Sequence, residues 1–143
     1  MMIQLDTVES LCDVNQKIIV SKDLRTSRMH RAINQNGVSA VRQFKLDGGI
    51  VKQRKCCDFL ILNDTKKNAY FVELKGGNIH EAVSQFEESE KILRSSLEGY
   101  NYFYRIVCSK VITHNVARNS FRKFQDKVGV CLKYKTNLLE ENI

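Results

Sequence analysis

The chain reads as an α/β protein, one domain over residues 1–143, with a mixed central β-sheet flanked by helices. Three observations predict this. Short apolar runs rich in β-branched and aromatic residues recur over 38–46, 56–62, 69–75 and 100–108. An amphipathic stretch from Ile79 to Leu97 and a basic one at about 115–128 alternate with the last of them. With 143 residues, 43% hydrophobic and 27% charged, the chain is long enough and apolar enough for one core.

The elements follow in order. Residues 6–20 predict a helix, because Leu5, Val8, Leu11, Cys12, Asn15 and Ile19 fall near helical spacing and Asp6 and Glu9 have capping-box spacing. A second helix over 22–35 would carry Arg25, Arg28 and Arg31 along one side and end before Gly37. Strands are predicted at Val38–Leu46, closed by the turn Asp47-Gly48-Gly49, at Cys56–Leu62, and at Ala69–Lys75, closed by Gly76-Gly77. The polar segment 63–68 makes the last two a hairpin. Asn78, three residues before Glu81, predicts the N-cap of a helix whose stripe is Ile79, Ala82, Val83, Phe86, Leu93 and Leu97, ended by Gly99. Tyr100–Cys108 predicts a strand buried on both faces. A helix over 115–128 turns Ala117, Phe121, Phe124 and Val128 inward, and Val130–Tyr134 closes as a strand. The predicted order is α-α-β-β-β-α-β-α-β.

The formal net charge of +7 favours a polyanionic partner, nucleic acid first. No apolar run approaches a membrane span and no secretory leader is seen, so a cytosolic protein without membrane attachment is expected. Cys12, Cys56, Cys57, Cys108 and Cys131 include no Cys-x-x-Cys pair, which argues for buried reduced thiols over zinc or iron–sulfur ligation. His30, His80 and His114 lie on separate elements without ligand spacing and read as surface or capping residues. No Gly-x-Ser-x-Gly elbow and no phosphate-binding Gly-x-x-x-x-Gly-Lys loop are present, so no nucleotide cofactor is expected.

Chemistry concentrates where charge interrupts the apolar runs. Asp58 opens one strand, and Glu73 and Lys75, two apart, share a face at the end of the next. Charged groups on apolar strands are usually paired or metal-bound. Asp58, Glu73 and the Leu74 carbonyl offer an all-oxygen donor set suited to Mg²⁺, with Mn²⁺ able to substitute. Lys75 stands where it could hold or deprotonate an attacking water.

Asp58 followed by Glu73-Leu74-Lys75 on the next strand and then an amphipathic helix resembles the PD-(D/E)xK nuclease superfamily, with its restriction-endonuclease-like α-β-β-β-α-β core. The resemblance covers roughly residues 38–108 with the helix before them, and Cys57 stands where the name-giving proline would be. It implies that Asp58 and Glu73 bind the metal and that Lys75 assists the water. It also draws attention to Glu9, on the first helix, and to Gln85, on the helix after Lys75. Some members carry a glutamine at the second position, followed four residues later by tyrosine, where this chain has Ser89. For Glu9 the competing reading is an N3 capping residue.

Substrate contacts are expected from Lys52, Arg54 and Lys55, which precede the Asp58 strand, and from Arg118, Arg122 and Lys123 on the late helix. The expected activity is metal-dependent cleavage of DNA rather than RNA, resolvase-like or restriction- and defence-like, by a homodimer. Two alternatives stand beside it: an RNA-cleaving nuclease, and a catalytically silent nucleic-acid-binding or assembly module of the same fold.

Overall fold

The structure is a computed structural model that describes residues 2–75, 78–109 and 119–143. The first regular element is a strand, not a helix. β1 (Ile18–Lys22) alternates exposed and buried positions, and β2 (Met29–Ile33) alternates half-buried and buried ones. They pair antiparallel from Ile18 opposite Ile33 to Lys22 opposite Met29. Both predicted N-terminal helices are thereby corrected. Residues 5–7 form only a single 3₁₀ turn, and Glu9 lies on an exposed irregular segment. Period-two burial of Ile19, Ser21, His30 and Ala32 overrides a helical spacing that would have buried Leu11, which is 62% exposed.

The central sheet contains β3 (Val41–Lys45), β4 (Phe59–Asn63), β5 (Asn68–Lys75), β6 (Asn101–Cys108) and β7 (Leu132–Thr136), hydrogen-bonded in that order. β3, β4 and β5 form an antiparallel meander, and β5, β6 and β7 run parallel. Between β5 and β6 lies α1 (Glu81–Leu93), and before β7 lies α2 (Asn119–Val128). The α1 stripe is buried as its spacing predicts, with Ile79, Ala82, Phe86 and Leu93 at 0% exposure. Its start is two residues later than expected: His80 holds the N-cap position, and Asn78 contributes its carbonyl to the Glu81 amide at 3.1 Å. Gly76, Gly77, His114, Ala117 and Arg118 lie outside the described residues.

A final strand absent from the sequence reading, β8 (Leu138–Asn142), joins β1 and β2 in a separate three-stranded sheet, pairing parallel with β2. Asn137, at φ 62°, makes the turn out of β7, and asparagine tolerates this left-handed conformation better than most residues. Its amide donates to the Cys108 carbonyl and its carbonyl accepts from Met29, so one residue splices the two sheets.

The central sheet is covered on both faces. Leu60, Leu62, Phe71, Tyr104 and Ile106 pack under α1 and α2 together with Phe86, Phe121 and Phe124. Phe59, Ile61, Tyr70, Val72 and Val107, on the alternate positions, pack against Ile19, Ala32 and Leu139 of the small sheet. Cys56 and Cys57 precede β4 and both enter the helix-side core as buried free thiols. The molecule is thus mixed α/β, with helices, central sheet and small sheet in layers. Among the described residues no helix is long and apolar enough to cross a membrane.

At the far end of the meander, Arg42 grips Asp64 with two hydrogen bonds, at 2.7 and 3.0 Å, and the Tyr100 hydroxyl donates to the same carboxylate. Burial works to raise the Asp64 pKa, but these donors outweigh it and hold the carboxyl below its usual range. Asp64→Asn is expected to cost about 1–3 kcal/mol in urea unfolding at neutral pH, since a charge-assisted bidentate contact is lost.

Candidate active site

The register of the β4–β5 hairpin builds the site. Phe59 is the last β4 residue paired, opposite Val72, so the next step of the antiparallel pair sets Asp58 against Glu73. There the ladder gives way to side chains. The Asp58 amide donates to Glu73 Oε1 at 3.1 Å, and the Leu74 amide donates to Asp58 Oδ2 at 2.9 Å. Each carboxylate is thus fixed by the other strand's backbone. Sequence spacing makes their convergence depend on the hairpin register; that register and this reciprocal bonding come from the structure.

Glu73 is 2% exposed. Burial, and then the neighbouring Asp58 carboxylate, push its pKa up to about 8 against the partial opposition of Lys75. Lys75 lies 3.5 Å from Glu73 Oε2 and 3.3 Å from Glu81 Oε2. Its Nζ donates to Gln85 Oε1 at 2.9 Å. Gln85 is itself buried on α1, and its amide group reaches the Cys56 carbonyl at 3.4 Å. Gln85 therefore joins the cluster by holding Lys75. One turn on, Ser89 accepts the Cys57 amide at 2.9 Å and fixes the approach to Asp58.

Asp58, Glu73 and Glu81 face Lys75 and, at Asp58, Lys45, and the crowding of the carboxylates is relieved by a proton kept on Glu73. A divalent cation would take that proton's place. The donors fit Mg²⁺ in kind. Burial raises the Cys57 thiol well above its ordinary value and the Cys56 thiol up to about 12, so neither offers a thiolate and the available ligands are oxygens. Among the described residues no three His, Cys, Asp or Glu side chains converge as a metal-holding group. Asp58 and Glu73 would therefore need the Leu74 carbonyl, water and substrate phosphate to complete the shell, as Mg²⁺ sites commonly do.

The other expected residues are placed as follows. Glu9 makes no hydrogen bond or ion pair with Asp58, Glu73 or Lys75, and its expected helix is absent. Lys52, Arg54 and Lys55 are exposed on the segment before β4. Arg54 is paired with Glu88 of α1 at 2.8 Å, and Lys75 is the main group that lowers the Glu81 pKa. Arg122 and Lys123 are exposed on α2. His30 is a correction: it is fully buried between the sheets, with Nε2 2.7 Å from Glu141 Oε2.

Lys45 was missed. It lies 3.5 Å from Asp58 Oδ1 and 4.9 Å over the Phe59 ring, and the available signal was a lysine closing the apolar run that pairs beside Asp58. Comparison with protein-family models, with curated proteins and with solved structures yields no match for this chain.

Proposed function

We propose that the chain is a Mg²⁺-dependent nuclease of the PD-(D/E)xK type that hydrolyses phosphodiester bonds, with DNA the favoured substrate. The observation that carries this reading is the contact of half-buried Asp58 with buried Glu73, with Lys75 3.5 Å from Glu73. The β-β-β-α-β run from β3 to β6 supports it, because it puts both carboxylates at one end of a hairpin and α1 beside them. A bound Mg²⁺ would polarise the phosphoryl group and stabilise the leaving oxygen. Asp58 and Glu73 supply the negative charge that holds the metal. Lys75, oriented by Gln85, holds the attacking water and can take its proton. Exposed Lys52 and Lys55 hold the phosphate backbone, and Arg122 and Lys123 extend the same charge along α2. Cutting both strands would use two copies of the site, as in a homodimer.

The test incubates the protein with supercoiled plasmid, branched DNA and RNA in Mg²⁺, Mn²⁺ or EDTA. Cleavage should require metal and fall by roughly 10²–10³-fold in Asp58→Ala and in Lys75→Ala. Gln85→Ala should lose less, roughly tenfold, because it acts through Lys75. Tight binding without cleavage of any substrate would instead assign a silent nucleic-acid-binding module.

A further inference from the structure

Beside Asp58, on the small-sheet side, lies a cleft of about 380 Å³ between the tip of the β1–β2 hairpin and the start of β4. Lys22, Arg25, Arg28 and Lys45 line it, against two carboxylates, Asp23 and Asp58. Two of the four cations are committed. Arg28 donates to Asp23 at 2.9 Å and to the Ser109 hydroxyl at 2.5 Å, and Lys45 reaches Asp58 at 3.5 Å. The other two are available. The Arg25 side chain is 92% exposed, and its ion pair with Asp23 is long, at 3.7 Å, and solvent-facing, while Lys22 is exposed and makes no ion pair among the described residues.

The tip is held in place. The Arg25 amide donates to Asp23 Oδ1 at 3.0 Å and the Arg28 amide to Thr26 Oγ1 at 3.2 Å, while the strands behind it are anchored by Ile19 and Ala32 in the inter-sheet core. Leu24, at the same tip, is 95% exposed. One unpaired and one loosely paired cation, an exposed apolar side chain and a carboxylate of the proposed metal site therefore share one opening. Polyanion recognition needs such cations positioned on a rigid support, and an exposed leucine beside them suits a base or sugar face.

We infer that this cleft is a phosphate subsite for a nucleic-acid strand, with Lys22 and Arg25 binding the backbone next to the phosphate that Asp58 and Glu73 act on. The inference rests on the nuclease reading for what lies next door, and its own evidence is the cleft. Arg28 and Lys45 shape the subsite through Asp23 and Asp58, and Lys22 and Arg25 carry the contacts.

Fluorescence anisotropy with a labelled DNA duplex and its single strand, in EDTA, tests this. A Lys22→Ala/Arg25→Ala double variant should bind roughly tenfold more weakly, and the slope of log affinity against log salt should shrink by about two. A Lys91→Ala/Arg94→Ala variant removes the same charge from the exposed end of α1 and should bind within about twofold of wild type. Equal losses in the two variants, or no binding by the wild type, would overturn the subsite. Plasmid cleavage by the wild type separates the two claims. Absent cleavage with a selective binding loss sinks the nuclease reading and leaves the subsite standing. Metal-dependent cleavage with unchanged binding in the hairpin variant sinks the subsite alone.

Discussion

Glu73→Gln is expected to lower metal-dependent cleavage by roughly 10³-fold or more while making the metal-free protein more stable at alkaline pH. The two effects share one cause. Glu73 sits in the core at 2% exposure, against a second carboxylate, and its pKa stands at about 8 rather than 4.5. The native protein therefore keeps a proton that the unfolded chain releases. Stability is highest below the unfolded value and falls as pH rises from about 4.5 to about 8. Glutamine has no proton to lose, so the variant should exceed wild type by roughly 2–4 kcal/mol above that window and match it more closely in acid.

A divalent cation competes for the same oxygen. Mg²⁺ binding should release a proton, and the rise in Tm that it produces should be larger at about pH 9 than at about pH 6. Thermal melts across pH, with and without Mg²⁺, on wild type and Glu73→Gln check both statements. Parallel stability profiles for the two proteins would show that Glu73 carries no displaced proton, and the charge argument for the metal would go with it.

Glu141→Leu should cost about 3–5 kcal/mol at neutral pH, the largest single loss expected outside the apolar core. Glu141 of β8 accepts from Arg105 Nε at 2.7 Å and meets His30 Nε2 at the same distance. The Arg105 side chain is 4% exposed and lies over the Tyr70 and Phe103 rings, so removing the carboxylate leaves a buried guanidinium without its counter-charge. Burial alone would raise the Glu141 pKa, but His30 and Arg105 reverse this and hold it at about 2.

The sign is opposite to that of Glu73. This stabilisation is present above about 4.5 and is lost as pH falls toward about 2, so the gap between wild type and variant should close across that range. Urea midpoints at neutral and acid pH measure it. A double variant Arg105→Met/Glu141→Leu should recover much of the loss, since neither buried charge is then left alone. A single variant within 1 kcal/mol of wild type would mean that the small sheet is held by apolar packing without this contact.

What the sequence determined is local. The alternation and turn signals around Asp58 and Glu73-x-Lys75 predict a hairpin, whose register the structure supplies, and the 3.6-residue stripe of Ile79, Ala82, Val83 and Phe86 predicts α1. Both come from short-range pattern, and both place site residues. The first thirty-five residues went the other way. Ile18–Lys22 and Met29–Ile33 are each five residues long, too short for period two to outweigh the apparent helical spacing around them. Their strand state is set by pairing with each other and, at β2, with a segment more than a hundred residues later. Only the tertiary structure could therefore set Arg25 and Asp58 on one cleft, bury His30 against Glu141 and recruit Lys45. These are encounters between elements, fixed by which faces the two sheets bury, and no single stretch of sequence contains them.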